Sequence, residues 1–96
     1  MSLVLSTKIL EKLATKHGVK KDEIEQCFAN RTGKYLTDTR EDHQSDPPTS
    51  WFIAETYFGR QLKVVFVAKG DDIYIRTVFP PNSEEIRIYK KYGEGV

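Results

Sequence analysis

The chain has 96 residues, 39% hydrophobic and 30% charged, with a formal net charge of +1. So short a chain cannot readily build two independent cores, so one domain over 1–96 is expected. It has no apolar run of about 18 residues, which excludes a membrane-spanning helix.

Cys27 is the only cysteine, which rules out an intrachain disulfide and a cysteine-based zinc cluster. The start, Met1 to Lys8, lacks the cationic head, apolar centre and cleavage site of a secretory signal, so a cytoplasmic protein is expected. The charge is unevenly spread. Residues 1–37 carry seven Lys/Arg against four Asp/Glu, 38–55 one against five, and 56–96 seven against five. The balance argues against a chain dominated by polyanion binding but leaves room for a local basic patch.

Ile9, Leu10, Leu13, Ala14 and His17 recur at helical spacing and predict a helix over 7–17. Ser6 or Thr7 can cap it, and Gly18 followed by Val19 suits its end. A second helix is predicted over 21–29. Asp22 and Glu23 sit in its first turn, and Ile24, Cys27 and Phe28 form its inner face. Cys27 reads there as a small buried hydrophobe. A short strand is expected over 32–37.

Residues 38–50 show no periodicity and contain Pro47 and Pro48. They read as a long acidic loop, a feature often functional in so small a domain. Asp38, Asp42, His43 and Asp46 within it fit no zinc or calcium spacing, so no metal site is expected. Strands are predicted over 51–58, 62–68 and 73–79, with reversals at Gly59-Arg60 and Lys69-Gly70-Asp71. After Pro80-Pro81, the string Asn82-Ser83-Glu84-Glu85 has the form of a capping box and predicts a helix over 83–91, with Ile86, Tyr89 and the stem of Lys90 against the core. The fold class is therefore α+β: two N-terminal helices, a three- to four-stranded antiparallel meander and one C-terminal helix.

A two-residue turn at Lys69-Gly70 sets Leu62, Val64 and Phe66 opposite Thr77, Ile75 and Ile73, an apolar face for the helices to cover. The same register sets Val65 opposite Tyr74 and Lys63 opposite Arg76. A turn at Gly70-Asp71 changes the partners but not the faces. Opposed cations need an offset, either a carboxylate of the protein or an external anion such as phosphate. Glu55 is the internal candidate, and its face depends on the loop at Gly59-Arg60. Trp51, Phe52 and Tyr57 are candidates for stacking bases or for the core. Arg87, Lys90 and Lys91 form a basic strip on the last helix. No phosphate loop, nucleophile elbow or dinucleotide fingerprint is present, and no cofactor is expected.

Several strings, in order, resemble the BrnT toxin family, small bacterial members of the RelE/ParE-like superfamily. They are Lys16-His17-Gly18-Val19, the acidic helix ending in Cys27-Phe28, Asp38 with His43, Gly59-Arg60-Gln61-Leu62-Lys63-Val64-Val65-Phe66, Gly70-Asp71-Asp72-Ile73-Tyr74-Ile75-Arg76 and Glu85-Ile86-Arg87-Ile88-Tyr89. The resemblance implies a helix-helix-meander-helix fold and a metal-independent ribonuclease that inhibits translation, paired with a ribbon-helix-helix antitoxin. It carries Arg60, Arg76, Arg87 and Tyr89 to matching positions. The catalytic set then reads Arg60, Arg76, Tyr89 and Glu55, with Lys63, Tyr74, Arg87 and Lys90 contacting RNA phosphates. The chain departs from the family at Thr77-Val78-Phe79-Pro80-Pro81-Asn82, where a Ser-Ala-Arg-like string is usual. That departure fits a non-toxic relative. The chain also resembles small bacterial proteins labelled ADP-ribosyl-(dinitrogen reductase) hydrolase. A non-catalytic protein-interaction module, engaged through a sheet edge or the acidic loop, is the alternative reading.

Overall fold

In the computed structural model, which describes residues 2–38 and 48–94, the chain runs β1 (Ser2–Val4), α1 (Thr7–His17), α2 (Lys21–Asn30), β2 (Leu36–Thr37), β3 (Thr49–Glu55), β4 (Gln61–Lys69), β5 (Asp72–Phe79) and α3 (Ser83–Tyr92). The fold is α+β, with two helices ahead of a meander and one after it. Residues 39–47, most of the expected acidic loop with Asp42, His43 and Asp46, lie outside the described residues.

The helix ends are set by local chemistry. Ser6 accepts a hydrogen bond from the Ile9 N–H at 3.1 Å and starts α1. Gly18 ends it in the left-handed region at φ 60°, where a side chain would be strained. Its N–H donates to Ala14 O and the Val19 N–H to Leu13 O, each at 3.1 Å, while Val19 is buried against the core. At α2, Glu23 accepts from the Lys20 N–H at 3.0 Å. At α3 the capping box closes both ways: Asn82 accepts from the Glu85 N–H at 2.8 Å, and Glu85 Oε1 accepts from the Asn82 N–H at 3.0 Å.

Among the described residues the sheet has five strands in the order β1-β5-β4-β3-β2. This corrects the expected three or four. The additional strand is β1, which pairs parallel with β5 through Ser2↔Asp72, Leu3↔Ile73 and Val4↔Tyr74. Three residues are too few to show a period of two, so the sequence pattern does not reveal it. The other pairings are antiparallel. The predicted strand over 51–58 ends at Glu55, because Tyr57 and Phe58 form the β3–β4 turn. The strand expected over 32–37 shrinks to Leu36–Thr37.

Along β3 and β4 alternate residues point to opposite faces. The inner face carries Phe52, Ala54, Leu62, Val64 and Phe66, joined by Ile73, Ile75 and Val78 of β5. It packs with Leu13 of α1 and Ile24 and Cys27 of α2 in one buried cluster. Phe28, Phe52 and Phe66 meet edge to face at 4.8–6.1 Å, and Tyr35 joins them. The outer face carries Trp51, Ile53, Lys63 and Val65, and α3 lies across its β3 side, with the Tyr89 ring 5.7 Å from Trp51.

The β4–β5 turn is at Gly70-Asp71, since Lys69 pairs with Asp72. A bulge then shifts the register between Val65 and Phe66, so Phe66 faces Ile75 and Val65 faces Thr77. Lys63 therefore stands opposite Phe79, and the expected juxtaposition with Arg76 does not occur. Arg76 is the extra residue of the bulge and is exposed.

Candidate functional site

The outer face and α3 enclose a recess of about 640 Å³ lined by Leu36, Thr37, Asp38, Trp51, Lys63, Glu85, Ile88 and Tyr92. That size falls in the range of small-molecule and peptide-anchor sites. Three elements build it. The β2–β3 pair supplies Leu36 opposite Trp51 on one wall. Strand β4 supplies Lys63 on the floor. Helix α3 supplies Glu85, Ile88 and Tyr92, which share one face because they are three and four residues apart.

The floor is an ion pair. Lys63 Nζ lies 2.5 Å from Glu85 Oε2, 4.4 Å from the centre of the Trp51 ring and 5.6 Å from that of Phe79. Its ammonium is thus offset by a carboxylate of the protein and by two aromatic faces. Glu85 does two jobs: Oε1 closes the α3 cap while Oε2 ties the helix to the sheet. Of the two offsets considered for a cation at 63, the internal carboxylate is the one present. It comes from Glu85 and not from Glu55. Glu55 is on the same face, opposite Gln61, and is exposed.

The residues expected to carry RNA cleavage are not brought together. Arg60 immediately precedes β4, and its side chain is engaged on the helix-covered side of the sheet, the guanidinium donating to His17 O at 2.6 Å and Gly18 O at 2.8 Å and pairing with Glu23 at 3.3 Å. It closes the C-terminal end of α1, where carbonyls lack helical partners. Tyr89 is buried and donates to Lys34 O at 2.7 Å. Burial, with the nearby Glu94 charge, pushes its phenol above the ordinary value of 10. A methyl group at Gly33 or Gly93 would collide with its ring. Arg87 pairs with Glu84 one turn back at 2.5 Å, fully in solvent. That hydrogen bond and charge hold the Glu84 carboxyl below its usual range. Tyr74 is partly exposed beneath Lys69, 5.6 Å away, and Lys90 is exposed on α3.

Of the predicted set, only Lys63 enters the recess. Its companions Glu85, Ile88 and Tyr92 were not singled out from sequence for a site, and Asp38 was weighed only as a metal ligand and set aside. Trp51 was, as a stacking or core aromatic, and it is a wall. The one available clue was the capping box, since a capping Glu has a second oxygen free to reach a neighbour. Phe52, another stacking candidate, is fully buried, whereas Tyr57 is exposed at the β3–β4 turn.

No protein-family model matches the chain, and no curated protein matches it.

Proposed function

We propose that the chain is a protein-interaction module without catalysis of its own, and that the recess beneath α3 is its docking site. The recess itself carries this reading: apolar side chains of Leu36, Trp51, Ile88 and Tyr92 stand around a floor whose charges are already paired. Such a surface favours an apolar anchor seated between aromatic and aliphatic walls. The engagement of Arg60 with α1 and of Tyr89 with Lys34 supports the same reading, because neither is disposed to move a proton on a bound substrate.

Selection of a random displayed-peptide library on the wild-type chain and on Ile88→Asp tests this. The wild type should enrich peptides that share an apolar anchor residue, and the variant should not. Equal enrichment on both, or none on either, overturns the reading. Trp51, the only tryptophan, reports occupancy by its emission.

A second reading keeps the RNA-binding toxin relative, a ribonuclease paired with a ribbon-helix-helix antitoxin. The observation in its favour is a basic group at the end of α3. Lys90 and Lys91 are exposed there, and the Lys34 backbone is held beside them by its N–H donating to Gly93 O at 2.9 Å. RNA binding at this end would weaken steeply with salt and fall further in Lys90→Glu. Expression of the chain alone would then arrest growth and cleave RNA. Salt-insensitive peptide binding with intact RNA favours the first reading.

A further inference from the structure

Lys63 is a cation set into the outer face of the sheet. Its side chain is 11% exposed and that of its partner Glu85 19%. Taking two charges out of water costs about as much as their attraction returns. Apolar side chains of similar volume often serve a fold equally well or better. Stability alone therefore does not account for a lysine at 63, and its contacts point to geometry.

Lys63 touches both walls of the recess at once. Its ammonium lies 4.4 Å from the centre of the Trp51 ring and 2.5 Å from Glu85 Oε2. Glu85 begins the face of α3 that Ile88 and Tyr92 continue, three and seven residues on. Near the other end of α3, Tyr89 is buried and donates to Lys34 O. Ile86 packs against the core between them, but apolar packing is non-directional. The tie from Glu85 to Lys63 thus fixes the direction in which the first turn of α3 points. Trp51 is held from two sides as well, by Lys63 and by the Tyr89 ring at 5.7 Å.

We infer that Lys63 is a positioning residue: through Glu85 and the Trp51 ring it sets the spacing of the walls between which an apolar anchor seats. This rests on the reading of the recess as a docking site. Walls fixed before binding lose little freedom on binding, so the gain is in affinity. An apolar residue at 63 would fill the same space without a directional contact and leave Trp51 and α3 more than one arrangement.

Lys63→Met combined with Glu85→Gln separates this role from a structural one. Both charges leave together, and the glutamine keeps an oxygen for the Asn82 N–H that closes the α3 cap. The melting temperature should stay within about 5 °C of wild type. The near-ultraviolet circular dichroism of Trp51, the only tryptophan, should weaken, and peptides selected on the wild type should bind about tenfold or more weakly. Lys63→Arg, which can meet both the carboxylate and the ring, should keep the Trp51 signal and the affinity. An unaltered Trp51 signal or undiminished affinity in the double variant overturns the inference. So does loss of its cooperative melting, which would make the pair a prop of the whole fold. A library that yields no peptide strikes the docking site alone, and the Trp51 signal then judges Lys63.

Discussion

Tyr89 and Cys27 show how single residues are committed by contacts far away in sequence. The Tyr89 ring is held between Gly33 and Gly93, where a Cβ would collide with it, and its hydroxyl serves Lys34. Gly33→Ala and Gly93→Ala should each cost about 1–3 kcal/mol by overpacking, measured by urea unfolding. Tyr89→Phe leaves the Lys34 carbonyl without its donor and should cost about 1 kcal/mol. Helical spacing places Tyr89 against the core, where it lies, while its proton-transfer role came only with the family resemblance; nothing local reveals two glycines closing on it. Cys27 was legible as a buried hydrophobe from its place on the inner face of α2. Burial, and secondarily the Glu23 charge, push its thiol from 9.0 up to about 12, against a smaller opposing pull from Arg60. The folded state thus prefers the neutral thiol, while the unfolded chain ionises near 9. The stability this confers is whole below pH 9 and is lost as pH rises towards 12. The stability difference between the wild type and Cys27→Ala should shrink over that window by on the order of 1 kcal/mol per pH unit. A constant difference would refute the assignment.

At the scale of elements, what could be read depended on range. Caps are local, so Ser6, Gly18-Val19 and Asn82–Glu85 were all visible in the sequence, and with them the three helices. The hairpin register was visible only as far as its bulge. Ile73 and Ile75 keep one parity on the inner face, but Val78, also buried there, has the other. An uninterrupted ladder would have turned Thr77 inward and Val78 outward. The bulge reverses this, so the broken alternation was itself the clue. Removing Arg76 should therefore leave Val65↔Thr77 and Val64↔Val78 paired as they are. The deletion variant should fold, with stability within about 1 kcal/mol of wild type by thermal melting. Deleting Val65 from the facing strand instead turns the following side chains to the wrong face and should abolish cooperative unfolding. The recess was illegible for a related reason: it joins β2, β4 and α3, whose packing no local pattern encodes.

For the whole molecule, the sheet edges decide what the fold exposes. Beyond its short pairing with β2, strand β3 is closed by side chains. Cys27 Sγ lies 3.8 Å from Ala54 O, and Asn30 donates to Glu55 O at 2.9 Å. The opposite edge depends on β1, which covers Asp72–Tyr74 and brings Leu3 against the core. Deleting residues 2–4 should lower the melting temperature by about 5–10 °C and raise light scattering with concentration, because an uncovered strand invites pairing with another chain. Unchanged melting and scattering would show that β1 is dispensable. The pairing of Ser2 with Asp72 also bears on biosynthesis. At about 5–20 residues per second, the ribosome needs roughly 4–14 s after placing Ser2 to add the residue it pairs with. For that interval β1 has no strand to join, and sheet closure waits until β5 has been made.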